Sequence, residues 1–259
     1  MKRVLVKIAY LGDDFNGSQI QPSGRTVESV VLEKLTVVMK LSPEELDLKF
    51  SSRTDKGVNA LGNAIVFNSI FDDDGLMLKA LNSIGRDIYF RSVCDVDRDF
   101  NVRYATGRVY RYVLPSEGMD LALARECADM FLGEHDFARF CKPDNKPTTA
   151  NVESIDMREE DGLLIMEFRA RFFLWNMIRR MMAAIEAVSK GVRTLDDVDR
   201  ALNGLEEINF GVARPDALTL VDVVYDWLDF SEAGQDQFES RKREEEFSQG
   251  LRRTFFGSL

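Results

Sequence analysis

The chain has a single histidine, His135, and three cysteines, Cys94, Cys127 and Cys141, among 259 residues. One histidine excludes any multi-histidine metal site, and a catalytic triad would have to run through it. His135 stands in LGEHDF, just after an apolar helical run, where a helix-end or packing role is expected. The cysteines are odd in number and widely spaced, which excludes a zinc spacing and a disulfide framework and suits a reducing compartment. No apolar run approaches membrane-spanning length. The opening MKRVLVKIAYLGDD alternates where a signal peptide would be continuously apolar. GxGxxG, Walker A and HExxH motifs are also missing. The expectation is a soluble cytoplasmic protein with no cofactor, no metal and no membrane partner. Its chemistry would fall to carboxylate, tyrosine and arginine side chains.

With 45% hydrophobic and 30% charged residues, the chain can bury one large domain or two small ones. Its net charge of −10 weighs against a nucleic-acid partner at long range, but an RNA site needs only a local basic surface. The charge is uneven. Residues 226–247 hold eight acids against three bases, and Asp72, Asp73 and Asp74 are consecutive. By contrast, residues 169–180 (RARFFLWNMIRR) carry four arginines and no acid, and Arg98, Arg103, Arg108 and Arg111 surround three tyrosines. Each arginine taken singly is equally well explained as a solvated or ion-paired surface residue, so composition leaves the RNA question open.

Periodicity gives the architecture. Residues 3–10 alternate as a strand with Val4, Val6, Ile8 and Tyr10 on one face, and a helix starts near Thr26 with Val27, Val30, Val31, Leu35, Val38 and Met39 as its apolar stripe. A short strand at 47–51, the loop SRTDKG, a strand at 62–68, a helix at 75–83 and a strand at 87–96 follow. The order is β-α-β-β-α-β, and the remainder repeats it. There is a strand at 106–114, a helix at 120–132, strands at 151–158 and 163–171 around the turn EEDG, a long helix at about 173–189, a short helix from Thr194, and a strand at 218–226. The expected class is α+β. Two ferredoxin-like (RRM-like) units form one mixed, mainly antiparallel sheet with helices on one face, leaving the other free for a ligand. Residues 1–104 and 105–229 are the two halves. Residues 230–259 are a charged extension, either a helix packing back through Phe255 and Phe256 or partly disordered.

Three segments can carry chemistry. Ser52-Arg53-Thr54-Asp55-Lys56-Gly57 places a carboxylate between two cations, which suits a nucleophile or electrostatic stabiliser, although such a loop also serves as a plain hairpin turn. In Arg108-Val109-Tyr110-Arg111-Tyr112, alternation puts Arg108, Tyr110 and Tyr112 on one side of a strand. They are a stacking platform for an extruded base if that side is open, and core residues if helices cover it. The apolar helix beginning FLWNMIRRMM contains Arg179 and Arg180, each of which needs a carboxylate partner or the solvent edge.

Together these segments carry a resemblance. SSRTDKGVNALGN resembles the GRTDxGVHA loop of the TruA family of tRNA pseudouridine synthases, GRVYRYVL its tyrosine motif, and FLWNMIRRM its arginine-bearing helix. FNGSQIQP, FLGEHDFARF and ALTLVDVVYD are similar to further family segments in the same order, so the resemblance runs from about residue 8 to 226. It implies a pseudouridine synthase fold and an intramolecular isomerase converting uridine to pseudouridine in the anticodon stem-loop of tRNA, at about positions 38 to 40. It implies Asp55 as nucleophile, Arg179 as its salt-bridge partner and Tyr110 against the target base. Arg53 would enter the space left by the flipped base, while Lys56, Arg108 and Arg111 bind RNA. A homodimer holding one tRNA across both subunits is implied as well. Ser18 stands where the family usually has tryptophan, Asn59 where it has histidine, and Gly85-Arg86-Asp87 where it has a Leu-Pro pair. A non-catalytic binder of two RRM-like units and a metabolic enzyme on a duplicated ferredoxin-like fold are the rival readings. Neither accounts for the family-like loop around Asp55.

Overall fold

The computed structural model describes residues 1–145, 147–234 and 236–256. In chain order the elements are β1 (Lys2–Tyr10), α1 (Val27–Met39), α2 (Pro43–Leu46), β2 (Lys49–Phe50), β3 (Asn59–Ser69), α3 (Asp74–Ser83) and β4 (Tyr89–Val96). There follow β5 (Gly107–Pro115), α4 (Leu121–Asp129), β6 (Gly133–Asp136), β7 (Thr149–Glu160), β8 (Leu163–Ala170), α5 (Met177–Ser189), α6 (Leu195–Leu202), β9 (Leu218–Val224), β10 (Ser231–Glu232) and α7 (Asp236–Phe256). Among the described residues no helix is long and apolar enough to cross a membrane.

The strands form one sheet in the order β10-β4-β1-β3-β9-β5-β8-β7-β6, with β2 also on β3. Two ferredoxin-like series are visible in it, β4-β1-β3-β2 and β9-β5-β8-β7. Because β2 has only two residues and covers β3 at Ile65 and Val66, the other end of β3 is free to receive β9. Asn59 pairs with Thr219 and Ala60 with Leu220, and this joint is parallel, whereas the other pairings are antiparallel. Gly62 is required at the joint. A Cβ there would lie 2.6 Å from the Val221 carbonyl oxygen.

Local chemistry explains the helix starts. Thr26 caps α1 in a reciprocal box with Ser29, and Thr194 caps α6 in the same way with Asp197. Each cap satisfies otherwise orphaned amide donors and contributes about 1 kcal/mol. The turn between β7 and β8 has Asp161 and Gly162 both at positive φ, the twist a two-residue hairpin needs.

Several expectations change. The helix expected from about 173 starts at Met177, because Asn176 is left-handed (φ 62°, ψ 6°), so Phe173, Leu174 and Trp175 belong to a loop. The strands β6 and β10 and the one-turn helix α2 lay below the resolution of a periodicity argument. The second face of the sheet is not left bare at β1: Lys7 is buried there, with its ammonium over the rings of Tyr225 and Phe230 from the segment after β9. The C-terminal extension is helical, and its early part docks on the first half. Phe238 meets Tyr89 edge-on at 5.9 Å and Glu244 pairs with Arg86 at 3.0 Å, while Phe255 is exposed and the Phe256 side chain lies outside the described residues.

Candidate active site

The loop between β2 and β3 is held from several sides before any side chain on it can act. Ser18 and Thr54 form a short ladder: the Ser18 amide donates to the Thr54 carbonyl at 3.0 Å, and the Thr54 amide donates to Ser18 Oγ at 2.8 Å. Beneath them the Tyr10 hydroxyl lies 2.9 Å from Thr54 Oγ1, and Asn63 donates to the Ser52 carbonyl at 3.0 Å. The turn closes when the Val58 amide donates to the Asp55 carbonyl at 3.1 Å, with Gly57 at φ +84°. Gly12 packs flat on that turn, where a Cβ would sit 2.4 Å from the Gly57 carbonyl carbon. Asn59 ties the same region together, accepting from the Gly12 amide at 2.8 Å and donating to the Asp216 carbonyl at 2.9 Å.

So braced, Asp55 projects into a cleft with its side chain one-third exposed. Arg179 Nη1 donates to Asp55 Oδ2 at 3.2 Å, and Trp175 Nε1 donates to Oδ1 at 3.0 Å. The guanidinium is itself fixed, since Nε donates to the Ala213 carbonyl at 2.7 Å and Nη1 reaches Asn176 Oδ1 at 3.2 Å. A carboxylate held on both oxygens by directed donors has its rotamer set.

Tyr110 lines the same cleft and is nearly buried, with Phe173 edge-on at 5.4 Å. Burial pushes its phenol well above the ordinary tyrosine value. Arg108 opposes this, whereas Tyr10 and Asp55 add to it. Tyr112 follows on that side of β5, donating to the Arg214 carbonyl at 3.1 Å, and burial raises it to about 12. The cleft therefore lies on the side of β5 that α5 approaches, not on the bare side. Tyr112 is a core residue, and Tyr110 is part core and part wall.

The cleft has a volume of about 1380 Å³, larger than the several hundred Å³ of an ordinary small-molecule pocket. Six cations and four carboxylates line it, a local reversal of the chain's acidic balance. Six aromatic residues line it too, so it offers both phosphate-binding charge and stacking faces.

The seven residues singled out in the sequence are distributed unequally. Asp55, Tyr110, Arg179, Arg53, Lys56 and Arg108 all line the cleft. Arg53 and Lys56 are exposed, and their side chains make no hydrogen bond or ion pair among the described residues. Arg108 is turned inward: it donates to Ser52 Oγ at 3.0 Å and to the Arg171 carbonyl at 2.5 Å, and burial lowers its pKa. Arg111 is not in the cleft. Alternation puts it on the opposite side of β5, where Nε donates to Glu167 at 2.7 Å. Of the two helix arginines, Arg179 found its carboxylate and Arg180 is half-buried. His135 has a packing role, with Nε2 2.8 Å from the Leu132 carbonyl oxygen and its ring edge-on to Phe137. Trp175 and the Ser18 ladder were missed. Trp175 was placed inside a helix, and the one available signal was the asparagine after it, a residue that tolerates the left-handed conformation.

Residues 127–226 match the family model described as tRNA pseudouridine synthase. That sets the class: an RNA-modifying isomerase. The chain is 37% identical to tRNA pseudouridine synthase A of Pyrococcus abyssi over 88% of its own length and 86% of that protein. It is 35% identical to the protein of the same name from Thermococcus kodakarensis over 99% and 98% of the two. Among solved structures, a chain of a Cbf5-Nop10-Gar1 complex overlaps 83% of this chain and 60% of its own at 15% identity and a TM-score of 0.38, too slight a likeness to argue from. The chain belongs to the tRNA pseudouridine synthase A family and is a synthase that isomerises uridine to pseudouridine in tRNA.

Proposed function

We propose that the enzyme modifies uridines in the anticodon stem-loop, at about positions 38 to 40, with Asp55 as its nucleophile. The observation that carries this reading is the setting of Asp55: a partly exposed carboxylate with a donor on each oxygen, at the wall of a large cleft lined by cations and aromatic rings. The reaction breaks the bond from N1 to the ribose and makes one from C5 to the same ribose carbon. The C5 proton departs and N1 gains one, so no electrons are exchanged with another molecule.

The target base must first leave its stack, which costs a few kcal/mol unless the protein fills the gap. Arg53, exposed on the rim beside Asp55, is proposed to enter that gap, and Lys56 to hold an adjoining phosphate. Tyr110 packs against the extruded base and remains protonated, so it can donate or relay a proton but not act as a phenolate base. Arg108 contributes by shaping the loop through Ser52. Arg179 pairs with Asp55 and orients it. The active unit is proposed to be a homodimer with one tRNA across both copies, and the compartment to be the cytoplasm, which suits three free cysteines.

The test is to incubate the protein with unmodified tRNA transcripts and map pseudouridine along the anticodon arm, with Asp55→Asn in parallel. Product at those positions that vanishes in the variant, while tRNA is still bound, supports the reading. Undiminished product formation by Asp55→Asn would remove it.

A further inference from the structure

Arg179 accounts for one oxygen of Asp55. We infer that Trp175 is a positioning residue of the reaction, its indole N–H holding the other oxygen so that the plane of the carboxylate is set. The inference rests on Asp55 being the reacting group.

The terminal torsion of an aspartate is broad and nearly two-fold, so one donor on Oδ2 leaves the plane free to swing about that contact. A second donor on Oδ1, at 3.0 Å, removes that freedom. Indole suits the task because Nε1 is a donor only, and cannot turn a lone pair toward the carboxylate as an amide can.

The indole is set from outside. The Lys142 ammonium lies 3.8 Å from its ring centroid, and the Lys142 amide donates to the Trp175 carbonyl at 2.8 Å. Asn176, left-handed, then turns the chain into α5, so that Trp175 and Arg179 reach opposite oxygens of one carboxylate from either side of the helix start. Trp175 remains 46% exposed, so burial is not what holds it there. A cleft wall alone would need only the ring, and neighbouring Phe172 and Phe173 already supply apolar wall.

The test compares Trp175→Phe, Trp175→His and Asp55→Asn in the full-length chain. The readouts are single-turnover pseudouridine formation at saturating tRNA transcript and, separately, tRNA affinity. Trp175→Phe removes the N–H and should slow the single-turnover step about ten- to hundredfold with affinity unchanged, as expected for a hydrogen bond to a charged group. Trp175→His restores a ring N–H at the matching position and should recover most of the rate. An unchanged or faster Trp175→Phe enzyme, a loss that merely follows affinity, or a histidine variant as slow as the phenylalanine one would each overturn the inference.

A second readout does not depend on turnover. With Trp227→Phe, Trp175 is the sole tryptophan. Adding Asp55→Ala should then shift its emission, and unchanged emission would overturn the contact. If Asp55→Asn stays active, it is the assignment of Asp55 that fails first.

Discussion

Arg179 and Asp55 meet at 3.2 Å although 124 residues of chain separate them, and their encounter joins the two halves of the molecule at the cleft. Arg179 also donates to the Ala213 carbonyl, so its guanidinium uses its fork rather than its charge alone. A lysine would keep the charge and lose the fork. Arg179→Lys is expected to lower single-turnover pseudouridine formation roughly a hundredfold while tRNA affinity changes little. Equal loss of both would point to a role in RNA binding.

Tyr110→Phe retains the edge contact with Phe173 and removes the hydroxyl. A fall in the single-turnover rate of about tenfold or more is expected if the phenol moves a proton. An unchanged rate would leave Tyr110 only the stacking role. Its raised pKa also has a sign: the protonated form is the folded form, so its contribution to stability is complete below the ordinary value of about 10 and is lost as pH rises through the higher folded value. The rate should therefore show no alkaline limb from Tyr110 below about pH 10.

Arg53 and Lys56 are exposed on the cleft rim and free of protein partners among the described residues, in an otherwise acidic chain. If each meets a phosphate, the plot of log affinity against log salt should be steep, and Arg53→Ala and Lys56→Ala should each flatten its slope by roughly one. Affinity loss without a change of slope would mean that neither neutralises a phosphate.

Asp87, where the family usually has a Leu-Pro segment, pairs with Arg25 and with Lys34, whose ammonium is buried and 3.1 Å away. Burial opposes its charge, but Lys34, backed by Arg25, outweighs burial and holds the carboxyl below its usual range. Asp87→Asn strands the Lys34 ammonium and should cost about 2 kcal/mol in urea unfolding at neutral pH. The folded pKa is depressed, so the stabilisation is full above the unfolded value of about 3.9 and fades as pH falls through the folded one. The gap between wild type and variant should close toward pH 3. A gap independent of pH would assign the loss to packing.

By itself the sequence determined what depends on neighbours a few residues apart. The period of two along Lys2–Tyr10 and Gly107–Pro115 settles their strand state. The capping residues Thr26 and Thr194 settle where α1 and α6 begin. The doubled β-α-β-β-α-β order and the loop holding Asp55 were also legible. Alternation even separated Arg111 from Arg108 and Tyr110, but not which side would face the cleft, because that depends on where α5 lands.

Tertiary structure decided the rest. Whether Trp175 continues a helix or points at Asp55 turns on one left-handed residue, Asn176, and the carboxylate that the indole meets comes from the other half of the chain. Ser18 in place of tryptophan said nothing about pairing with Thr54, and a two-residue β2 gave no hint that it would leave room on β3 for β9. Each depends on a partner outside any window of a dozen residues: Thr54 lies 36 positions from Ser18, and β9 lies further still from β3.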